Sequence, residues 1–232
     1  MKKILPALLI AISTFLSIPS IAQLKLGNIL SEKDAAGGIK EALQQGLVKA
    51  VLQLNKEDGF YKDALYRILL PPDAKKIEKT MRDVGMGATV DKAILQINRA
   101  AEDAVGTAKP IFLDALKNMT LTDAVGLVKD GDTSATHFFR NKTTNPLFTA
   151  FLPVIKNSLE KLDATKYYGE MVKKYNSFPT TFKKLNPDLQ SFVTMKAIEA
   201  LFDVVSKEEL NIRHNMGAQS SDLLKKVFGT RW

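Results

Sequence analysis

The sequence predicts an all-α fold, on three observations. Apolar residues recur at spacings of three and four over long stretches, most clearly over residues 89–118, where Val90, Ile94, Ile97, Ala101, Ala104, Ala108, Ile111 and Ala115 trace one stripe. Helix-start signals recur along the chain, as in Ser31 to Asp34, Thr120 to Asp123 and the pairs Asn145-Pro146 and Asn186-Pro187. No segment sustains the two-residue alternation of a buried strand between turn residues. The expectation is a single compact domain over residues 23–232, built around a long central helix at 89–118 that kinks between Gly106 and Pro110, where proline removes one backbone bond and crowds the turn before it.

Residues 1–22 stand apart from this domain. Lys2 and Lys3 precede a nearly unbroken apolar run over residues 4–18, and Ser20 and Ala22 place small residues three and one positions before a cut after Ala22. This pattern predicts a signal peptide and hence a periplasmic or secreted protein. The run is short for a bilayer span and no basic stop signal follows, so no transmembrane segment is expected in the mature chain. Cysteine is absent, which excludes disulfides, a thiol nucleophile and a lipid-modified cysteine at the cut. The chain carries a formal charge of +8, and losing Lys2 and Lys3 leaves +6, a surplus that favours anionic partners. For an exported protein these are envelope lipids or acidic polymers; nucleic acid is not expected. About 210 remaining residues bury about 70% of the unfolded chain's surface, enough for one core without staples.

The elements follow in order. Ser31 caps a first helix whose face is Ala36, Ile39, Leu43, Gly46, Ala50 and Leu54, and Gly37, Gly38 and Gly46 predict a close-packed partner helix. Residues 60–70 alternate briefly at Tyr66, Ile68 and Leu70 and end in Pro71-Pro72, which predicts an extended connector packed on the helices. Pro72 opens a helix to Val84, and Gly85-Met86-Gly87 turns into the central helix; a phosphate loop is excluded because Val90 stands where its third glycine belongs. Thr120 opens a short helix, and Asp132 or Thr133 caps one carrying residues 135–139. Asn145-Pro146 starts another, bent at Pro153 and ending near Leu159. Asp163 or Thr165 opens the next, to Tyr175. A packed loop is expected over 176–185, then a helix from Asn186-Pro187, a further one from Ser206 to Arg213, and a last one over residues 221–228.

Several of these stretches together resemble a known family. The run Asp34-Ala35-Ala36-Gly37-Gly38-Ile39, the run Asn98-Arg99-Ala100-Ala101-Glu102, the pairs Met119-Thr120 and Asp123-Ala124, and the ending Glu208-Glu209, Ile212-Arg213 and Leu223 to Gly229 are similar to the bacterial family called domain of unknown function 4197. The resemblance implies an exported helical protein and brings no catalytic residue or cofactor with it.

Catalytic patterns are sparse. His137 and His214 are the only histidines and neither stands in a His-Glu-x-x-His zinc motif; no Gly-x-Ser-x-Gly elbow is present. Asp130-Gly131-Asp132 lacks the rest of a calcium loop, so no metal or cofactor is expected. His137, next to Phe138-Phe139, reads as a half-buried packing residue and only secondarily as a site. The distinctive cluster is Asn98, Arg99 and Glu102, which one helical turn brings together. It reads first as a buried polar network that fixes helix register, and second as a ligand contact in which Arg99 meets a carboxylate or phosphate.

Three functions are compatible with these features. The favoured one is non-enzymatic binding of a hydrophobic or anionic small ligand, such as a lipid, in a pocket between helices with Arg99 or lysines at its mouth. The second is a protein-interaction or assembly module with an envelope protein as partner. The third is an uncharted enzyme using Arg99 and Glu102 in a cleft.

Overall fold

The computed structural model describes residues 30–161, 163–177 and 188–229, and among these the chain is all-α. The expected signal peptide, most of the loop over 176–185 and the Asn186-Pro187 helix start lie outside the described residues.

Helix α1 (Glu32–Leu54) opens as expected, with Ser31 Oγ accepting from the Asp34 N–H at 3.0 Å. Its small residues have the expected purpose. A Cβ added at Gly38 would lie 2.6 Å from Val227 Cγ2, so α9 (Asp222–Phe228) rests directly on α1 there, and at Gly46 the helix α8 (Leu189–His214) brings the Val205 carbonyl within 3.3 Å of the same imagined atom. After α1, residues 60–70 form the irregular connector, with Phe60, Tyr66, Ile68 and Leu70 buried and Leu65, Arg67 and Leu69 exposed. A 3-10 turn at Pro72–Ala74 leads into α2 (Lys75–Asp83). That helix closes with glycine in the left-handed region: Gly85 has φ +83°, its N–H bonds to the Arg82 carbonyl (3.1 Å), and Met86 N–H bonds to the Met81 carbonyl (2.8 Å).

The stripe expected as one kinked helix forms two, α3 (Gly87–Val105) and α4 (Ala108–Asn118), with the break at Gly106-Thr107. Pro110 therefore falls in the first turn of α4, where its missing N–H costs nothing. The break has a tertiary cause. Asn55, which ends α1, donates from Nδ2 to the Glu102 carbonyl at 2.6 Å, and the same side chain would stand 3.0 Å from any Cβ at position 106. Asn55 thereby competes for the carbonyl that a continuous helix would offer to residue 106.

Thr120 and Asp123 form the expected reciprocal cap of α5 (Leu121–Lys129). Two expected helix starts are absent. α6 (Ser134–Lys161) runs unbroken through Pro146 and Pro153, because Phe139, Thr143, Leu147, Phe151, Ile155 and Leu159 keep one buried face in phase across both prolines. Packing against α3, α4 and α8 outweighs the roughly 3 kcal/mol local penalty of each proline. α8 likewise continues through Ser206, and Glu208 and Glu209 engage distant partners instead of opening a new helix. Between these lies α7 (Ala164–Asn176), preceded by Asp163 at φ +56°. Where α3, α4, α6 and α8 converge, Phe112 sits 5.8 Å from Phe139 and 5.7 Å from Phe202, ring centre to ring centre. Among the described residues no helix is long and apolar enough to cross a membrane.

Candidate functional site

The α3 cluster comes together as the spacing of Asn98, Arg99 and Glu102 requires, and each of the three side chains has hydrogen-bond partners. Asn98 is fully buried; its Oδ1 accepts from the Ile68 N–H, and its Nδ2 donates to the Ile68 and Ile94 carbonyls, all within 2.7–2.8 Å. Glu102 Oε1 accepts from the Phe60 N–H (3.1 Å) and the Tyr61 N–H (3.4 Å), while Oε2 accepts from Arg99 Nη1 at 2.7 Å. Arg99 Nη2 reaches Asp58 at 2.8 Å and Glu57 at 3.2 Å. Burial, the largest influence on the Arg99 guanidinium, lowers its pKa, but the bonds to Glu102 and Asp58 outweigh it and hold the group above its ordinary value. Asp58, in turn, is held below the usual carboxylate range by Lys62 at 2.7 Å and by Arg99. The cluster thus ties the connector to α3. His137 projects from the solvent side of α6 and is exposed, not half-buried.

A second network centres on residues whose roles local spacing does not reveal. Glu209, 1% exposed, accepts from the Ala135 N–H (3.1 Å), the Thr136 N–H (2.7 Å) and Thr136 Oγ1 (2.6 Å), so a carboxylate from α8 caps the start of α6. Arg213, one turn on, pairs with Glu209 at 2.8 Å and donates to the Leu127 carbonyl at 2.8 Å, covering the end of α5. Glu208 points to α1, where it meets Lys49 and Gln45 Nε2 (3.0 Å). Burial pushes the Glu208 carboxyl up, but Lys49, Gln45 and Asn211 overcome it and the pKa is lowered. The local sequence signal for this network is the i, i+4 spacing of Glu209 and Arg213.

The connector's outer side and α8 enclose a groove of about 590 Å³ that Arg99 does not line. Leu65, Arg67 and Leu69 form one wall, Phe192, Lys196 and Lys207 of α8 the other, and Arg140 of α6 borders it. Its two acids are already paired, Glu199 with Lys196 at 2.6 Å and Asp203 with Lys207 at 2.7 Å. Tyr66 donates its hydroxyl to Asp203 at 2.7 Å, and Lys207 donates to the Tyr66 oxygen at 3.1 Å. Asp203 and Tyr66 hold the Lys207 ammonium above the usual lysine range. Arg67 and Arg140 instead lie over aromatic faces, 4.7 Å from the Tyr61 ring centre and 5.0 Å from that of Phe202, and neither forms an ion pair among the described residues. Two exposed leucines stand beside these guanidinium groups, Leu65 at 75% and Leu69 at 50%.

A second groove, about 660 Å³, lies beside α4 against Phe138 and Phe139. It is open to solvent, and Asp114, Asp123 and Lys142 are among its lining residues. No three of its side chains, nor any others among the described residues, form a group of His, Asp or Glu that could hold a metal ion.

The model of the family described as protein of unknown function (DUF4197) matches residues 29–229. The chain belongs to that family. No curated protein and no solved structure matches it. The DUF4197 match takes in the α3 cluster, the Glu209–Arg213 network and every wall of the connector groove.

Proposed function

We propose that this DUF4197 protein is exported after cleavage following Ala22 and acts without catalysis, by holding an anionic, partly apolar ligand in the groove between the connector and α8. The observation that carries this reading is the position of Arg67 and Arg140, two guanidinium groups that border one groove without a contact ion pair among the described residues and beside exposed leucines. A guanidinium gives planar, bidentate donation to a carboxylate or phosphate, and its aromatic support limits the entropy lost on binding. Lysines rather than Arg99 flank the site. The enzyme reading has less support, since both Glu102 oxygens and the Arg99 fork are committed to protein partners. An exported binding role fits the leader-like residues 1–22, the excess of positive charge and the lack of a catalytic motif.

The test uses 1-anilinonaphthalene-8-sulfonate, an aromatic sulfonate, as an anionic probe with an apolar body. Saturable fluorescence enhancement at one site, lost in Arg67→Gln/Arg140→Gln with thermal stability retained, is the expected result. Equal binding by that variant contradicts the reading.

A further inference from the structure

The connector contributes more than cations to the groove. Ile68 has both main-chain groups occupied by Asn98, so the connector edge that faces α3 is closed. In an extended chain, neighbouring residues direct their N–H and C=O groups to opposite edges. Past the turn over residues 64–66, residues 67–69 lie outside helix and turn, and their exposed, buried, exposed alternation is that of a short extended stretch. The main-chain groups of Arg67 and Leu69 consequently face away from Asn98, on the groove side. The Arg67 N–H is used by the Asp63 carbonyl at 3.0 Å, but the Arg67 carbonyl and the Leu69 N–H and carbonyl bond to no protein group among the described residues.

We propose that the groove takes an extended acidic peptide segment that pairs its backbone with Arg67 and Leu69 and sets its carboxylates against the Arg67 and Arg140 guanidinium groups. One residue of the incoming segment suffices to accept from the Leu69 N–H and donate to the Arg67 carbonyl, the pattern of a parallel ladder. Its alternate side chains then face Leu65 and Phe192 on one side and solvent on the other. The main-chain groups favour a peptide over other anionic ligands. A fatty acid or other single-chain amphiphile satisfies the arginines but brings no donor for Arg67 C=O, whereas a peptide backbone brings donor and acceptor at the required spacing. Pro71-Pro72 offers no further N–H, so the pairing is short and the charge contacts carry much of the affinity.

This proposal rests on the groove being the ligand site, and the experiment separates the two. Isothermal titration calorimetry is run with a blocked hexapeptide of alternating Glu and Leu, with the same peptide N-methylated on alternate amides, and with dodecanoate. The protein is used as wild type, as Leu69→Pro, which deletes one open N–H, and as Arg67→Gln/Arg140→Gln. The expected result is that the parent peptide binds wild type and loses about tenfold in affinity on N-methylation and in Leu69→Pro, and more in the arginine variant. Peptide binding indifferent to N-methylation overturns main-chain pairing, whether or not Leu69→Pro folds. Arginine-dependent binding of dodecanoate without peptide binding overturns the peptide and leaves the groove as the site. Binding of neither probe overturns both.

Discussion

One side-chain amide, that of Asn98, holds both main-chain groups of Ile68, thirty positions earlier in the chain, with each bond at 2.8 Å. Ile68 also lines the groove, so loss of this clamp acts on stability and on the geometry of Arg67 and Leu69 together. Asn98→Leu leaves the Ile68 N–H and carbonyl buried without partners and is expected to cost about 2–4 kcal/mol, read as a lower urea midpoint at unchanged slope. A loss below about 0.5 kcal/mol shows that the clamp does not fix the connector.

Glu209 and Arg213 serve two helix ends from a third helix. Arg213→Met leaves the Glu209 charge, 1% exposed, without its cation and is expected to cost about 3–5 kcal/mol. Adding Glu209→Leu removes that stranded charge. The double variant is therefore expected to lose less than the sum of the two single variants, with the residual loss reporting the α6 cap, which a double-mutant cycle in denaturant measures.

The acid limb of stability should depend on Glu208. Its folded pKa lies below the ordinary 4.5, so the paired carboxylate stabilises the fold above that value and the contribution disappears as pH falls through the lower, folded pKa. Glu208→Gln should consequently flatten the loss of stability as pH falls from about 5 towards 3, when melting temperature is followed across that range. An unchanged slope rules out this carboxylate as a contributor.

At Gly38 two effects oppose one another. Alanine improves helix propensity by about 1 kcal/mol, but its Cβ would stand 2.6 Å from Val227 Cγ2 and 2.8 Å from Val227 Cβ. Overpacking of this kind costs about 1–3 kcal/mol, so Gly38→Ala should destabilise the protein and loosen α9, with faster amide exchange over Asp222–Phe228. Pairing it with Val227→Ala should restore the exchange protection in part.

The parts of the fold that the sequence revealed are those with a local cause. The Val90 to Val105 stripe, the Thr120 cap and the small residues of α1 follow from spacing and sterics within a few turns, and each recurs in the structure. The helix ends that differ from expectation are set by distant groups. Asn55 breaks the stripe at Gly106, and a shared buried face carries α6 through Pro146 and Pro153. The same division holds at the sites. Asn98, Arg99 and Glu102 are legible together because one turn of helix joins them, but their partners Ile68, Phe60 and Asp58 belong to another segment. The groove was not legible, since Arg67, Arg140 and Lys207 are brought together only by the packing of the connector, α6 and α8.

The central claim, an anionic ligand held between Arg67 and Arg140, is tested most directly by native mass spectrometry of protein purified gently from its own host. Wild type should carry a reproducible adduct that denaturing extraction identifies as an acidic molecule, and Arg67→Gln/Arg140→Gln, produced in parallel, should emerge without it. An adduct of the same mass and occupancy on both proteins contradicts the claim.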